Sequence, residues 1–353
     1  MRSVDMSSNW QRRWHPLLSQ WVLISATSAK RPWSGATSTA NPESKLAHDP
    51  DCYLCPGVTR ANGQKTPDYA EPFAFDNDFP SLSFKADDVN VPGVDGSSPL
   101  TMTAPAHGTC RVLCWSPRHD VTLANISADC MLKVVRLWQT EYKSLAADPN
   151  IKNVLIFENK GKEMGVSNLH PHGQIYATSF LSDTAIRMRA AQTKYAQSHT
   201  GESLLQAILE DAHTTAELLI DKGQYFSIIV PFAARFAYET WIVPHRKLAS
   251  VADMTDAEIE ELAKLYQTQA RRYDLLFERS APNITLLHNA PCDEDIQNEN
   301  WCFHLAFQPP LRDANKLKYL AGFESGSNNI VNPVQPEHAA RVLRDINPKA
   351  TPS

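Results

Sequence analysis

The chain has 353 residues, 42% of them hydrophobic, and a formal net charge of −5. That length can bury one large core or two medium ones, the apolar content excludes disorder as the main state, and the small, interspersed charge gives no support to nucleic-acid or membrane-surface binding. Seven cysteines, Cys52, Cys55, Cys110, Cys114, Cys130, Cys292 and Cys302, are odd in number and sparse, which points to reduced thiols in a cytosolic compartment rather than a disulfide frame.

The opening "MRSVDMSSNWQRRWHPLLSQWVLIS" has no basic segment followed by a long apolar run and a cleavage site. Nowhere do about eighteen uncharged apolar residues follow one another, so a soluble, cytoplasmic protein is expected. Residues 34–48 and 86–100 are rich in Ser, Pro, Gly and Asp and read as surface loops. From Arg111 onward the pattern becomes regular. "RVLCW" (111–115) reads as a strand, "ISADCMLKVVRLWQTEYKSLA" (126–146) as an amphipathic helix, and "NVLIFEN" (153–159) and "GQIYATSF" (173–180) as strands.

The same order then returns: strand "ETWIVP" (239–244), helix "MTDAEIEELAKLYQTQARRYDLLF" (254–277), strands "NITLLHN" (283–289) and "WCFHLAFQ" (301–308). The expected fold is therefore α+β, a duplicated unit of antiparallel strands with helices packed on them. The halves, 1–180 and 181–353, are expected to pair into one pseudo-symmetric body, because each half-buried strand set needs a partner surface. The second copy keeps His304 but has Ala306 where the first has His172.

"SNLHPHGQIYA" (167–177) sets His170 and His172 two apart, so on a strand both imidazoles project from one face. Pro171 between them suggests an edge or strand-entry position. Such a pair serves as metal ligands, as a ligand beside a nucleophile, or as hydrogen-bonded histidines without chemistry. Histidine nucleophiles are used mainly for phosphoryl and nucleotidyl transfer. "DPDCYLCPG" spaces Cys52 and Cys55 so that one turn can bring both thiolates to a single zinc. A lone CxxC is also read as a redox pair or as chance. With no second CxxC, completion of a site would fall to distant histidines, of which His119 and His170 are candidates. His15, His48, His199, His213 and His338 read as solvated; His107 takes the same bland reading, with approach to a nucleotide as its alternative.

"ENKGKEMGVSNLHPHGQIYATSF" closely resembles the active-site segment of the galactose-1-phosphate uridylyltransferase family, the transferase branch of the histidine triad superfamily. "PLLSQWVLIS", "AKRPWSG", "HDPDCYLCPG", "PFAFDNDFP", "GTCRVLCWSPRH" and "LKYLAGFE" match in the same order, from about residue 12 to 345. The resemblance implies histidine-triad-like halves and a ping-pong transfer of UMP between a UDP-sugar and a sugar 1-phosphate, with His172 as nucleophile. It implies that Gln174 hydrogen-bonds the phosphoryl group and that Ser167 and Asn159 face the phosphates. Asn77 and Asp78 match the ribose-binding pair, with Phe75 beside the base. Arg31, Lys318 and Glu324 match residues that reach the sugar phosphate from the partner subunit, which implies a homodimer. The structural zinc ligands match Cys52, Cys55, His119 and His170.

Several positions depart from the pattern. Ser28 stands where an arginine is common, which removes a phosphate-directed charge. Of a second metal site found in some members, His288 and His304 remain, but Met188 and Ala306 replace its Glu and third His, so this site is expected to be empty. After Glu324 the text "SGSNNIVNPVQ" leaves Asn328 or Asn329 in place of a sugar-binding glutamine, and Phe323 replaces a tyrosine. These changes motivate an alternative transferase using a nucleoside triphosphate or a modified sugar 1-phosphate. A hydrolase or non-catalytic binder is disfavoured by Gln174 and by the intact His172.

Overall fold

The computed structural model describes residues 10–25, 46–60, 62–86, 98–293 and 295–349. Ser28 and Arg31 lie outside the described residues, as do most of the two segments expected to be loops. The N-terminal part forms β1 (Gln11–His15), β2 (Gln20–Ile24), β3 (Phe73–Asp76), β4 (Gly108–Cys114), α1 (Ala128–Ala146), β5 (Asn153–Lys160) and β6 (His172–Thr178). After α2 (Asp183–Ser198) and α3 (Leu204–Thr215) come β7 (Leu219–Lys222), β8 (Phe226–Ile229), β9 (Thr240–Pro244), α4 (Asp256–Leu276), β10 (Asn283–His288) and β11 (His304–Gln308). The tail adds β12 (Leu311–Asp313), β13 (Lys316–Leu317), α5 (Gly322–Ser327), β14 (Val331–Asn332) and α6 (Pro336–Asp345).

The central sheet has nine strands in the order β3-β4-β6-β5-β10-β11-β9-β8-β7, and every neighbouring pair is antiparallel. Read outward from the β5–β10 seam, β6, β4 and β3 on one side answer β11, β9 and β8 on the other. The register confirms this symmetry: Phe157 faces Leu286, and two residues along Asn159 faces Ile284. The local pseudo-twofold axis therefore passes the Glu158–Thr285 pair. The duplicated, antiparallel α+β unit expected from the sequence is the one observed.

One face of this sheet carries α1 and α4. Ser127 caps α1 by accepting the Cys130 N–H, and Thr255 caps α4 in a capping box with Glu258. Each helix turns a stripe at three-to-four-residue spacing toward the strands, with Val134, Val135 and Trp138 from α1 and Ile259, Leu262 and Tyr266 from α4 all buried. Each such side chain contributes roughly 1.5–3 kcal/mol of burial. Trp138 bridges the halves, 5.8 Å from Trp115 and 5.6 Å from Tyr266 between ring centroids.

The opposite face is treated unequally in the two halves. Over the second half lies the β1–β2 hairpin, extended by β14 parallel to β2. His15 packs on Trp241 with ring centroids 5.6 Å apart, and the buried Arg13 pairs with Glu337 of α6 at 2.8 Å. His15 is thus a core residue, contrary to the solvated position expected of it. Over the first half, His172, Gln174, Tyr176, Phe157 and Asn159 are left half-buried. Among the described residues no helix is long and apolar enough to cross a membrane.

Candidate active site

Alternation along β6 decides which side chains meet. Gly173, Ile175 and Ala177 are buried toward the helices, so His172, Gln174 and Tyr176 face the other way. Register pairing brings Cys114 beside His172, Val112 and Phe157 beside Gln174, and Phe75 beside Val112. His172, Gln174, Asn159 and Phe75 thus share one sheet face. Ser167 is exposed in the β5–β6 connection, after a 3-10 turn at Lys162–Met164 that Gly165 ends in the left-handed region.

The His172 ring is fixed by its own backbone. Its Nδ1–H donates to the His170 carbonyl at 2.7 Å, which places the proton on Nδ1 and leaves the Nε2 lone pair free. Burial holds this imidazole below the ordinary histidine range, only partly offset by that hydrogen bond. At neutral pH it is an oriented, unprotonated nitrogen on a half-open face.

Behind it lies a buried donor cluster. The ligand atoms of Cys52, Cys55, His119 and His170 all lie within 4.8 Å of one another and could hold a metal ion. Cys55 Sγ is 3.5 Å from His170 Nδ1 and 3.8 Å from His119 Nδ1. The surroundings fit a cation. Tyr69 donates its hydroxyl proton to the Leu54 carbonyl, so His170 Nε2–H is the donor to Tyr69 Oη and to the Ser116 carbonyl, both at 2.9 Å, and Nδ1 is left to ligate. The sulfurs receive N–H donors as thiolates require, from the Asn168 side chain at 3.3 Å and the Asp49 backbone at 3.5 Å. Burial pushes the Cys55 thiol up to about 11 and the His170 imidazole down to about 3, so without a cation these two groups stay neutral and gain little from each other. Chelating the metal, or Cys52→Ser, is expected to lower unfolding stability by on the order of 3 kcal/mol in a denaturant titration. Metal-free protein that unfolds at the parent's midpoint would refute this.

Of the other expected residues, Asp78 accepts from the Asn62 amide at 2.7 Å and lies 3.5 Å from the Arg60 guanidinium, while Asn77 Oδ1 caps the Phe79 N–H. Arg60 also lies over the Phe75 ring at 4.4 Å. It therefore links Asp78 to Phe75, a contact that a single arginine in a loop gives no sequence signal for. Lys318 and Glu324 pair with each other at 2.6 Å, and Glu324 also accepts the Val331 N–H. Burial is the largest single influence on Glu324 and works against its ionisation, but the hydrogen bond and charge of Lys318 with the Val331 and Ala321 N–H donors together outweigh it and hold the carboxyl below its ordinary range. This pair belongs to the C-terminal segment that reaches β2 through β14, not to the β4–β6–β5 face. His107 bonds the Ala86 carbonyl at 2.7 Å.

The family model for the galactose-1-phosphate uridyl transferase N-terminal domain matches residues 2–182, and that for the C-terminal domain matches residues 188–351. The galactose-1-phosphate uridylyltransferase of Haemophilus influenzae is 37% identical over 95% of this chain and 94% of its own length. That of Rattus norvegicus is 36% identical over 95% and 88%. A solved uridylyltransferase covers 94% of this chain and 97% of its own at 24% identity and a TM-score of 0.75. An ADP-glucose phosphorylase from Arabidopsis thaliana, solved with bound ADP-glucose, covers 96% and 99% at 22% identity and 0.76. At those identities the two structures speak for the fold alone. On the family models and the relatives above 30% identity, the chain belongs to the galactose-1-phosphate uridyl transferase family.

Proposed function

We propose that this protein is a UDP-glucose–hexose-1-phosphate uridylyltransferase that moves UMP between UDP-glucose and galactose 1-phosphate through a covalent His172 intermediate. The observation that carries the reading is the His172 ring, its Nδ1–H donating to the His170 carbonyl at 2.7 Å and its Nε2 left as a lone pair. Nε2 attacks the α-phosphorus, the bond to the bridging oxygen of the β-phosphate breaks, and glucose 1-phosphate leaves with that electron pair. A phosphate oxygen of galactose 1-phosphate then attacks the same phosphorus and expels Nε2, which restores the neutral imidazole.

Gln174, on the same face as His172, is placed to hydrogen-bond the phosphoryl oxygens as a neutral amide that offers no acid or base to water. Ser167 and Asn159 serve the phosphates, Asn77 and Asp78 the ribose, and Phe75 the base. Arg31, Lys318 and Glu324 serve the sugar phosphate of the partner's site in a homodimer. The placement of the Lys318–Glu324 pair away from the nucleophile's sheet face supports such a composite site. Two thiolates and two imidazoles suit Zn2+, which when bound ties the Cys52–Cys55 loop to the strand entry ahead of His172. The second metal site is taken as empty: of the four positions that match its ligands, His288 and His304 remain but Met188 and Ala306 are apolar, and the field of the Arg235 cation reaches His288. We take 1–180 and 181–353 as the two units and the cytoplasm as the location.

The test is intact mass after brief incubation with UDP-glucose, UTP or ATP, each alone. A UMP adduct from UDP-glucose supports the reading. An adduct only from a triphosphate moves the protein to the altered-partner transferase that Ser28 and residues 323–332 motivate, and no adduct from any of them overturns the covalent mechanism.

A further inference from the structure

Directly beneath the nucleophile is a buried polar chain that the proposed reaction does not use. Trp115 follows β4 and touches the nucleophile's strand twice. Its backbone N–H donates to the Pro171 carbonyl at 2.9 Å, just before His172. Its indole lies under Gly173, just after His172, so closely that a Cβ built there would come within 2.1 Å of Cζ2 and 2.7 Å of Cη2. The ring thus fills the place a side chain would take and fixes the backbone height on both sides of the imidazole.

The ring is itself held. Its Nε1–H donates to Glu158 Oε1 at 3.2 Å, and the other oxygen of that carboxylate accepts the Tyr266 hydroxyl at 2.8 Å. Tyr266 is 3.2 Å from the Thr285 hydroxyl, which accepts the Asn283 amide at 2.9 Å. The chain runs from Trp115 through β5 and α4 to β10 and crosses the pseudo-twofold axis, where Glu158 and Thr285 are register partners. An apolar pair of similar volume would pack here at equal or better stability, because a buried carboxylate carries a desolvation cost. What the polar pair adds is a fixed rotation of the indole.

We propose that Trp115 is a positioning residue that sets His172 and Gln174 in line with the reacting phosphorus, and that Glu158 holds Trp115 in that pose. An error of about 1 Å in such a placement costs roughly 100-fold in rate. The inference rests on the proposed role of His172.

The experiment measures rapid-quench formation of the nucleotide adduct, affinity for UDP-glucose and thermal midpoint in Glu158→Gln, in Trp115→Phe, and in the apolar double variant Trp115→Phe/Glu158→Leu. Expected is an adduct rate lowered roughly 10- to 100-fold in all three, with UDP-glucose affinity within about twofold of the parent and the double variant at least as stable as Trp115→Phe alone, which leaves the buried carboxylate without its indole donor. Adduct formation at the parent rate in the double variant overturns the proposal. So does a fall in rate matched by a fall in affinity, or a failure of every variant to fold, since the chain is then only structural. If the parent forms an adduct from another nucleotide alone, that nucleotide replaces UDP-glucose. If it forms none, the functional reading has failed separately, and crystal structures decide this one: displacement of the Gly173 backbone in the double variant supports it, and superposition on the parent overturns it.

Discussion

The His172→Gln variant is expected to lose turnover by at least about 10,000-fold and to form no nucleotide adduct, while keeping its fold and its affinity for UDP-glucose. The amide nitrogen of glutamine has no basic lone pair, since it is delocalised into the carbonyl, so the size and polarity of the side chain survive and the nucleophile does not. The substitution costs little stability because His172 is half-buried on an open face. Its ring makes its hydrogen bond to the His170 backbone, which a glutamine amide can also reach. The measurement is turnover with UDP-glucose and galactose 1-phosphate, beside intact mass and a binding isotherm. Retention of more than about 1% of parental turnover would remove His172 from the role of nucleophile, since nucleophile deletions in enzymes of this kind leave far less.

A second large effect is expected from acid. His15, His288 and His304 lie together under the N-terminal hairpin, with the His288 and His304 rings stacked at 4.6 Å and Trp241 in contact with both His15 and His304. Burial, with the nearby Arg235 cation, pushes His15 down to about 3 and His288 down to about 4; burial and the two neighbouring imidazoles push His304 well below its ordinary value. All three folded values lie below the unfolded value of about 6.5. The unfolded chain therefore binds more protons, and the stabilising difference is complete above pH 6.5 and is lost as pH falls toward 4. At pH 5 His15 and His288 have each removed about 2 kcal/mol, about 4 kcal/mol together, and His304 acts in the same direction. Urea midpoints between pH 7 and 5 should fall steeply, and His288→Phe should flatten the slope. A midpoint unchanged across that interval would mean that these histidines are not buried as neutral groups.

The parts of the molecule set by local periodicity were legible in the sequence. The helix read at 126–146 is observed at 128–146, the one read at 254–277 at 256–276, and the strands flanking each form the seam and its neighbours. The duplication followed from the repeated order of those elements. Other parts were set by distant partners and left no such trace. Helix α2 buries Gln192 and Thr193 alongside two alanines and one methionine, so it shows no continuous apolar stripe to read. In "QRRWH" the buried positions are Arg13 and His15, and only the packing of the hairpin on the second half explains why. At the site, the two-residue gap marks Cys52 and Cys55 and the HPH spacing marks one sheet face, but the meeting of Cys55 with His119 and His170 spans 64 and 115 residues. The contact of Trp115 with Gly173 is invisible to spacing for the same reason.

The β5–β10 seam has a further consequence. Each of these strands has one edge satisfied by its own half and the other only by its counterpart. Either half on its own would present a row of unpaired main-chain donors and acceptors, a surface that recruits another chain. Joining the halves covalently replaces that recruitment with an effective concentration in the millimolar range, independent of how much protein the cell makes. It also lets the two faces diverge. Where Ala306 stands at the position answering His172, the second half has no chemistry to keep open, and its face serves as the dock for the chain's own N-terminal hairpin.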